Sequence, residues 1–377
     1  MKNKNILFTL ASAALLSASI LSYGQSHYKV TWLVSTNKVE YNAAFQSAKT
    51  ATGVTGLAAR KAKPATATTK AVLDGPFWAV NRGNKTVSLY EDDGRTVIST
   101  GDGGRPKILD IPNNGGSPTG IWFNPSKSFI MTNGIKKATA YFVAVNDDGS
   151  FWGWTPSIDT TKNFIIPVSV PTGSGYSGIT GGVRTVYVPI LKKKLKRDFL
   201  FATNFRLNQI DLFDGKFGYV TSWDTPADIK LLGLSVYNVY AISNNRLVVT
   251  YAKLQPGLFE PVINSGLGYA EVYDMDHNLI QRLDSAPLNS PWGVTEYHGS
   301  LLIGNFGDGR INSYDDLTLA PHGQLLNTDG TVLSINGLWA LDFKLGNPGG
   351  DKLFWTAGPD HDVDGGYGSI TEIVGGP

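Results

Sequence analysis

The densest run of potential ligand atoms in the chain is Asp360-His361-Asp362-Val363-Asp364-Gly365-Gly366. Carboxylates on alternate residues followed by glycine can wrap a hard cation, because Ca²⁺ takes about six to eight oxygens and the glycine permits a sharp bend. In an EF-hand-like loop the closing acid would fall at Thr371, with Glu372 one position late, so Asp360, Asp362 and Asp364 form an incomplete calcium set. A polar turn between two strands accounts for the same residues. The basic run Lys192-Lys193-Lys194-Leu195-Lys196-Arg197 could meet an anionic polymer or membrane, or form a solvated hairpin tip. Gly173-Ser174-Gly175-Tyr176-Ser177-Gly178 fits GxGxxG, but no helical periodicity follows it, so nucleotide binding is not expected. GxSxG, HExxH and P-loop motifs are absent, and the 5 histidines are scattered. With no cysteine, disulfides, thiolate zinc sites and cysteine nucleophiles are excluded as well.

The elements that must position such residues are β-strands. The 377 residues include 42% hydrophobic and 11% aromatic side chains and 43 glycines, which is material for a large core broken by many turns. Met1 to Gly24 has Lys2 and Lys4, then an apolar run from Ile6 to Leu21, then Ser22-Tyr23-Gly24. That is the layout of a secretory signal cut after Gly24, with a retained membrane anchor as the alternative that the shortness of the run and the segment's four serines disfavour, so export is expected. The segment takes two of the 33 basic residues and none of the 31 acids, leaving the remainder formally neutral. A neutral domain is a poor nucleic-acid binder, since that affinity needs a basic face. The reading therefore divides the chain into a signal peptide (1–24), a closing strand with an Ala/Thr/Lys-rich irregular segment (25–73), and a repeat domain (74–377).

Internal repetition decides the fold. A short apolar strand ending in a small or polar residue, a turn, and an alternating strand recur six times. Examples are Phe77-Trp78-Ala79-Val80-Asn81 with Val87-Ser88-Leu89-Tyr90, and Phe199 to Asn204 with Gln209 to Asp214. Most units follow another short strand carrying glycine, as in Thr119-Gly120-Ile121 and Trp292-Gly293-Val294. Four strands repeated six times predict an all-β, six-bladed β-propeller. Tyr28 to Val34 alternates well and is expected to close the ring by pairing beside Ile370 to Val374, which removes an open edge. The first inner strand is expected near Gly53 to Ala58.

Gly304-Asn305-Phe306-Gly307-Asp308-Gly309-Arg310-Ile311-Asn312, Leu288 to Val294, Asn336 to Leu341 and Phe354 to Pro359 together resemble a family of secreted, NHL-repeat-like propeller proteins. Some of its members carry a PEP-CTERM sorting tail, which Gly375-Gly376-Pro377 does not resemble. The resemblance runs from about Asp74 to Ile373. It implies the propeller fold and supplies no catalytic residues, because the family has no established activity.

Related six-bladed propellers that hydrolyse sugar lactones hold a divalent metal over the channel with Glu, Asn and Asp. Asn81, Asn204 and Asn305 recur at equivalent strand ends and Glu296 ends an inner strand, so these are the catalytic candidates under that reading. Turn formation explains recurrent Asn equally, since Asn tolerates left-handed backbone and bonds its own loop. The favoured expectation is an exported recognition protein taking a small molecule, glycan or surface protein through loops at one channel mouth. A metal-dependent lactone hydrolase and a structural coat component are the alternatives.

Overall fold

The computed structural model describes residues 26–35, 54–59, 75–95, 97, 108–112, 116–256, 258–263, 267–283, 287–344, 352–359 and 365–373. The expected signal peptide and the Asp360, Asp362 and Asp364 cluster lie outside these residues.

The chain opens with β1 (His27–Ser35), which belongs to the last blade. Blade 1 is β2 (Val54–Ala59), β3 (Phe77–Asn81), β4 (Thr86–Tyr90) and β5 (Ile108–Asp110). Blade 2 begins with β6 (Pro118–Phe123), inserts a hairpin of β7 (Ile130–Thr132) and β8 (Lys137–Thr139), and continues with β9 (Phe142–Asn146), β10 (Phe151–Trp154) and β11 (Phe164–Ile166). Blade 3 is β12 (Tyr176–Val188), β13 (Lys193–Asn204), β14 (Gln209–Asp214) and β15 (Tyr219–Asp224). Blade 4 is β16 (Ser235–Ile242), β17 (Arg246–Ala252), β18 (Gly268–Asp274) and β19 (Leu279–Arg282). Blade 5 is β20 (Pro291–Tyr297), β21 (Ser300–Asn305), β22 (Ile311–Asp315) and β23 (Pro321–Gln324). After β24 (Leu326–Asn327), blade 6 runs β25 (Leu338–Lys344), β26 (Lys352–Ala357) and β27 (Gly366–Ile373).

Each blade is antiparallel in sequence order, and the ring closes as expected: β1 lies antiparallel to β27, with Val30 opposite Ile370 and His27 opposite Ile373. β24 adds a short parallel fifth strand outside β1. The six-bladed propeller is thus the fold of this chain. Its first inner strand is β2, opposite β3.

The core lies between blades. Trp78 packs on Phe142 at 4.4 Å, bridging blades 1 and 2, and Phe77 packs on Phe354 at 4.6 Å, bridging blades 1 and 6. Burying large aromatics here is the main apolar stabilisation, because a single sheet of four strands has no other surface to cover both faces.

All six inner strands carry a register shift near their first residues, as between Pro118 and Gly120 or Pro291 and Gly293. Glycine at this bulge lets the inner strands crowd the axis. A Cβ on Gly178 would sit 2.0 Å from Asn238 Oδ1, and one on Gly181 would sit 2.1 Å from the Trp122 ring. Contacts between inner strands keep sequence order, with Thr119 bonded to Tyr176, Asn238 to Trp292 and Ser243 to Glu296. All inner strands therefore run the same way. We call the rim where they begin the upper rim and the one where they end the lower rim.

Candidate functional site: a channel closed at one end

The inner strands of all six blades enclose a central cavity of about 260 Å³. Its walls are mainly aliphatic, including Leu57, Ile121, Ile179, Val239 and Val294. Small residues at the bulges and branched ones beyond them follow from strand alternation, which turns every second side chain of an inner strand to the axis.

The upper mouth is plugged. The described part of the connection between β17 and β18 folds back on itself, with Gln255 N donating to Glu260 O at 2.9 Å and Val262 N to Lys253 O at 2.6 Å, and sends Phe259 over the axis. Phe259 is 2% exposed. It stacks on Trp339 of blade 6 (5.3 Å, 10° between planes) and touches Tyr237 of blade 4 and Phe205 of blade 3. Arg82 of blade 1 lies 5.1 Å from the Phe259 ring and pairs with Glu260 at 2.6 Å and with Asp147 of blade 2 at 3.7 Å. One loop is thus held by groups from both sides of the ring.

Among the described residues the lower mouth is open. The wall there runs through half-buried Trp122, Phe123 and Tyr240 to exposed Pro125. Polar groups gather at this end. Asp342 lines the channel and accepts from Phe343 N at 2.8 Å. Burial raises the Tyr240 phenol well above its usual range, and the nearby Asp342 charge raises it further, against a hydrogen bond with Thr295. Tyr240 therefore stays protonated and can donate. Deeper, towards the plug, Trp292 also lines the channel, and its indole N–H finds no acceptor among the described residues.

The lactonase candidates do not share a site. Asn305 is opposite Pro291 at the upper end of β20, whereas Glu296, opposite Leu301, lies five residues down the same strand. At about 3.3 Å per residue that is roughly 16 Å. Glu296 instead accepts from Ser243 N (2.9 Å) and Ser243 Oγ (2.8 Å), joining blades 4 and 5. Asn81, Asn204 and Asn305 are fully buried at the upper rim. Asn204 Oδ1 accepts from Gly175 N and Leu207 N, and Asn305 Nδ2 donates to Pro287 O at 2.7 Å. Asn81 Nδ2 donates to Ser88 Oγ at 2.8 Å, while Asn81 Oδ1 accepts nothing among the described residues. These are turn residues by position and bonding. No group of three or more His, Asp or Glu suited to a metal occurs among the described residues.

Sequence reasoning missed the residues that shape the channel. Asp342 sits in an apolar stretch, Leu338 to Phe343, where one acid on an inner strand was the available signal.

No protein-family model matches the chain. Two uncharacterised proteins of Acanthamoeba polyphaga mimivirus are each 26% identical over 321 residues, covering 80% of this chain and 73% and 78% of theirs. Among solved structures, virginiamycin B lyase from Staphylococcus aureus aligns over 92% of this chain and 100% of its own, at 14% identity and TM-score 0.48. Hydrazine synthase from Kuenenia stuttgartiensis aligns over 89% of this chain and 99% of its own, at 12% identity and TM-score 0.45.

Proposed function

We propose that the protein is a recognition propeller whose lower mouth admits a small, mainly aliphatic amine. The observation that carries this reading is the one-ended cavity of about 260 Å³ with Asp342 and protonated Tyr240 near its open end. Pockets for drug-sized ligands start at about 300 Å³, so the volume favours a molecule smaller than a disaccharide or peptide. Aliphatic walls favour an alkyl body, and a carboxylate in a low-dielectric mouth favours a cationic head. Export through Met1 to Gly24 belongs to the same proposal and is supported by that segment's charge and hydropathy.

The test is thermal denaturation with matched short-chain amines, alcohols and carboxylates, followed by Trp fluorescence. A ligand bound only to the folded chain must raise the melting temperature. Amines are expected to raise it, carboxylates are not, and Asp342→Asn should abolish the preference. Equal response to all three classes, or an indifferent Asp342→Asn variant, would overturn the reading.

A further inference from the structure

We propose that the β12–β13 hairpin docks the lower rim onto an anionic lipid bilayer. β12 is 13 residues long, where the other inner strands have between 6 and 8. Gly181 lies against Trp122 near the lower end of β6. Beyond it the ladder continues unbroken to the Val188–Lys193 pair. Those extra residues carry the hairpin roughly 20 Å past the rim. Its base is braced: Arg184 pairs with Asp276 of blade 4 at 2.8 Å and lies over Phe199 and Trp223. Its tip has no such support among the described residues.

The composition of that tip selects the partner. Residues 183–197 contain six basic side chains and no acid, although the chain beyond the leader segment is formally neutral. Lys192, Lys193, Lys194, Lys196 and Arg197 form no ion pair among the described residues. At the turn, Ile190 is 91% exposed, Leu191 51% and Tyr187 58%. A polyanion such as nucleic acid or a sulfated glycan would neutralise the lysines and leave these apolar groups in water. A bilayer takes both: the apolar tip enters the interface, Tyr sits at headgroup depth, and the lysines meet anionic headgroups.

A second hairpin repeats the pattern. β7–β8 leaves the connection after β6 at the same rim and exposes Ile135 at 91%, followed by Lys136 and Lys137. Ser128 Oγ donates to Asp198 Oδ2 at 2.6 Å, tying the bases of the two hairpins together. The proposal does not depend on the channel's ligand, and its experiment reads lipid binding alone.

The experiment compares the full chain with two variants, I190S/L191S and K192E/K193E/K194E, in vesicle co-sedimentation at moderate salt. The vesicles are phosphatidylcholine alone or with about one third phosphatidylserine. Any contribution of the N-terminal apolar segment is common to all three proteins and cancels in the comparison. The original chain is expected to favour the anionic vesicles, and each variant to lose more than about tenfold in partitioning onto them. On a heparin column K192E/K193E/K194E should elute early and I190S/L191S as the original does. Vesicle binding unchanged in both variants would overturn the proposal. So would heparin retention without phosphatidylserine dependence, which would assign the hairpin to a polyanion.

Discussion

Asn204 Nδ2 donates to Asp211 Oδ2 at 2.8 Å, across the turn from the second to the third strand of blade 3. The same seven-residue relationship ties Asn81 to Ser88 at 2.8 Å and, with the donor reversed, Asn312 Nδ2 to Asn305 Oδ1 at 3.4 Å. A polar pair buried at each turn fixes the register of two strands at once, because neither partner can find water elsewhere. In blade 3 the pair is part of a wider network that includes Tyr176 OH donating to Asp211 Oδ2 at 2.8 Å.

Asn204→Ala should therefore act on stability. It strands the Gly175 and Leu207 N–H groups and one bond to a buried carboxylate, at a cost of about 2–4 kcal/mol. Urea denaturation followed by fluorescence would measure it. A variant as stable as the original would remove the structural role assigned to this Asn.

Phe259→Ala should unplug the upper mouth. Loss of the buried ring costs about 3 kcal/mol or more if the loop stays in place. A loop can instead lift away locally, so the sharper readout is exposure of Trp292 and Trp339 to acrylamide. Quenching is expected to rise, with faster proteolysis within 253–263. Arg82→Ala should do the same more weakly by removing the partner of Glu260.

Alkaline pH should loosen the ring. Burial pushes the Tyr90 phenol up to about 12, and burial together with the neighbouring Glu372 charge pushes Tyr28 of the closing strand to about 12. Both are raised above the unfolded value of 10, so the folded state keeps protons that the unfolded chain gives up. Their contribution is complete below pH 10 and is lost as pH rises towards 12. For fully buried Tyr90 it is about 2–3 kcal/mol. Melting temperature against pH should fall in this window, and less steeply for Tyr90→Phe. Parallel curves would contradict the assignment.

Val30→Pro should open the closure. Val30 sits opposite Ile370 in mid-strand, where proline removes a donor and fixes a backbone angle unsuited to the ladder. A loss of about 3 kcal/mol or more is expected in a calorimetric melt. An unchanged melt would mean that β1 contributes little to holding the ring.

The propeller was legible because its signals are periodic. Apolar alternation, glycine at the inner-strand bulge and Asn at the second-strand end recur in most blades, and the alternation of Tyr28 to Val34 marked the closing strand. Blade 4 shows where such reading stops. Its inner strand has Asn238 in place of glycine, and the side chain itself fills the gap, donating to Trp292 O at 2.7 Å. No spacing rule announces that substitution. The channel was not legible for a related reason: Phe259 reaches Trp339 over one mouth, and Tyr240 comes near Asp342 at the other, only once blades 4 and 6 are arranged around a common axis. Lys192 to Arg197 was legible as a hairpin end, but its projection came from the lengths of both paired strands.

The closing pair of β1 and β27 also governs when this molecule can become native. Its two strands are separated by more than 300 residues, so ring closure joins the first described strand made at the ribosome to the last. Contacts of such sequence separation form late and slowly, since the intervening chain must be ordered before they repay its lost freedom. Until β27 is released, β1 has no sheet to join, and blade 6 keeps an unpaired edge. The final step of folding therefore waits for the last strand of blade 6, and the interval before closure is when the chain is most open to pairing with a neighbour.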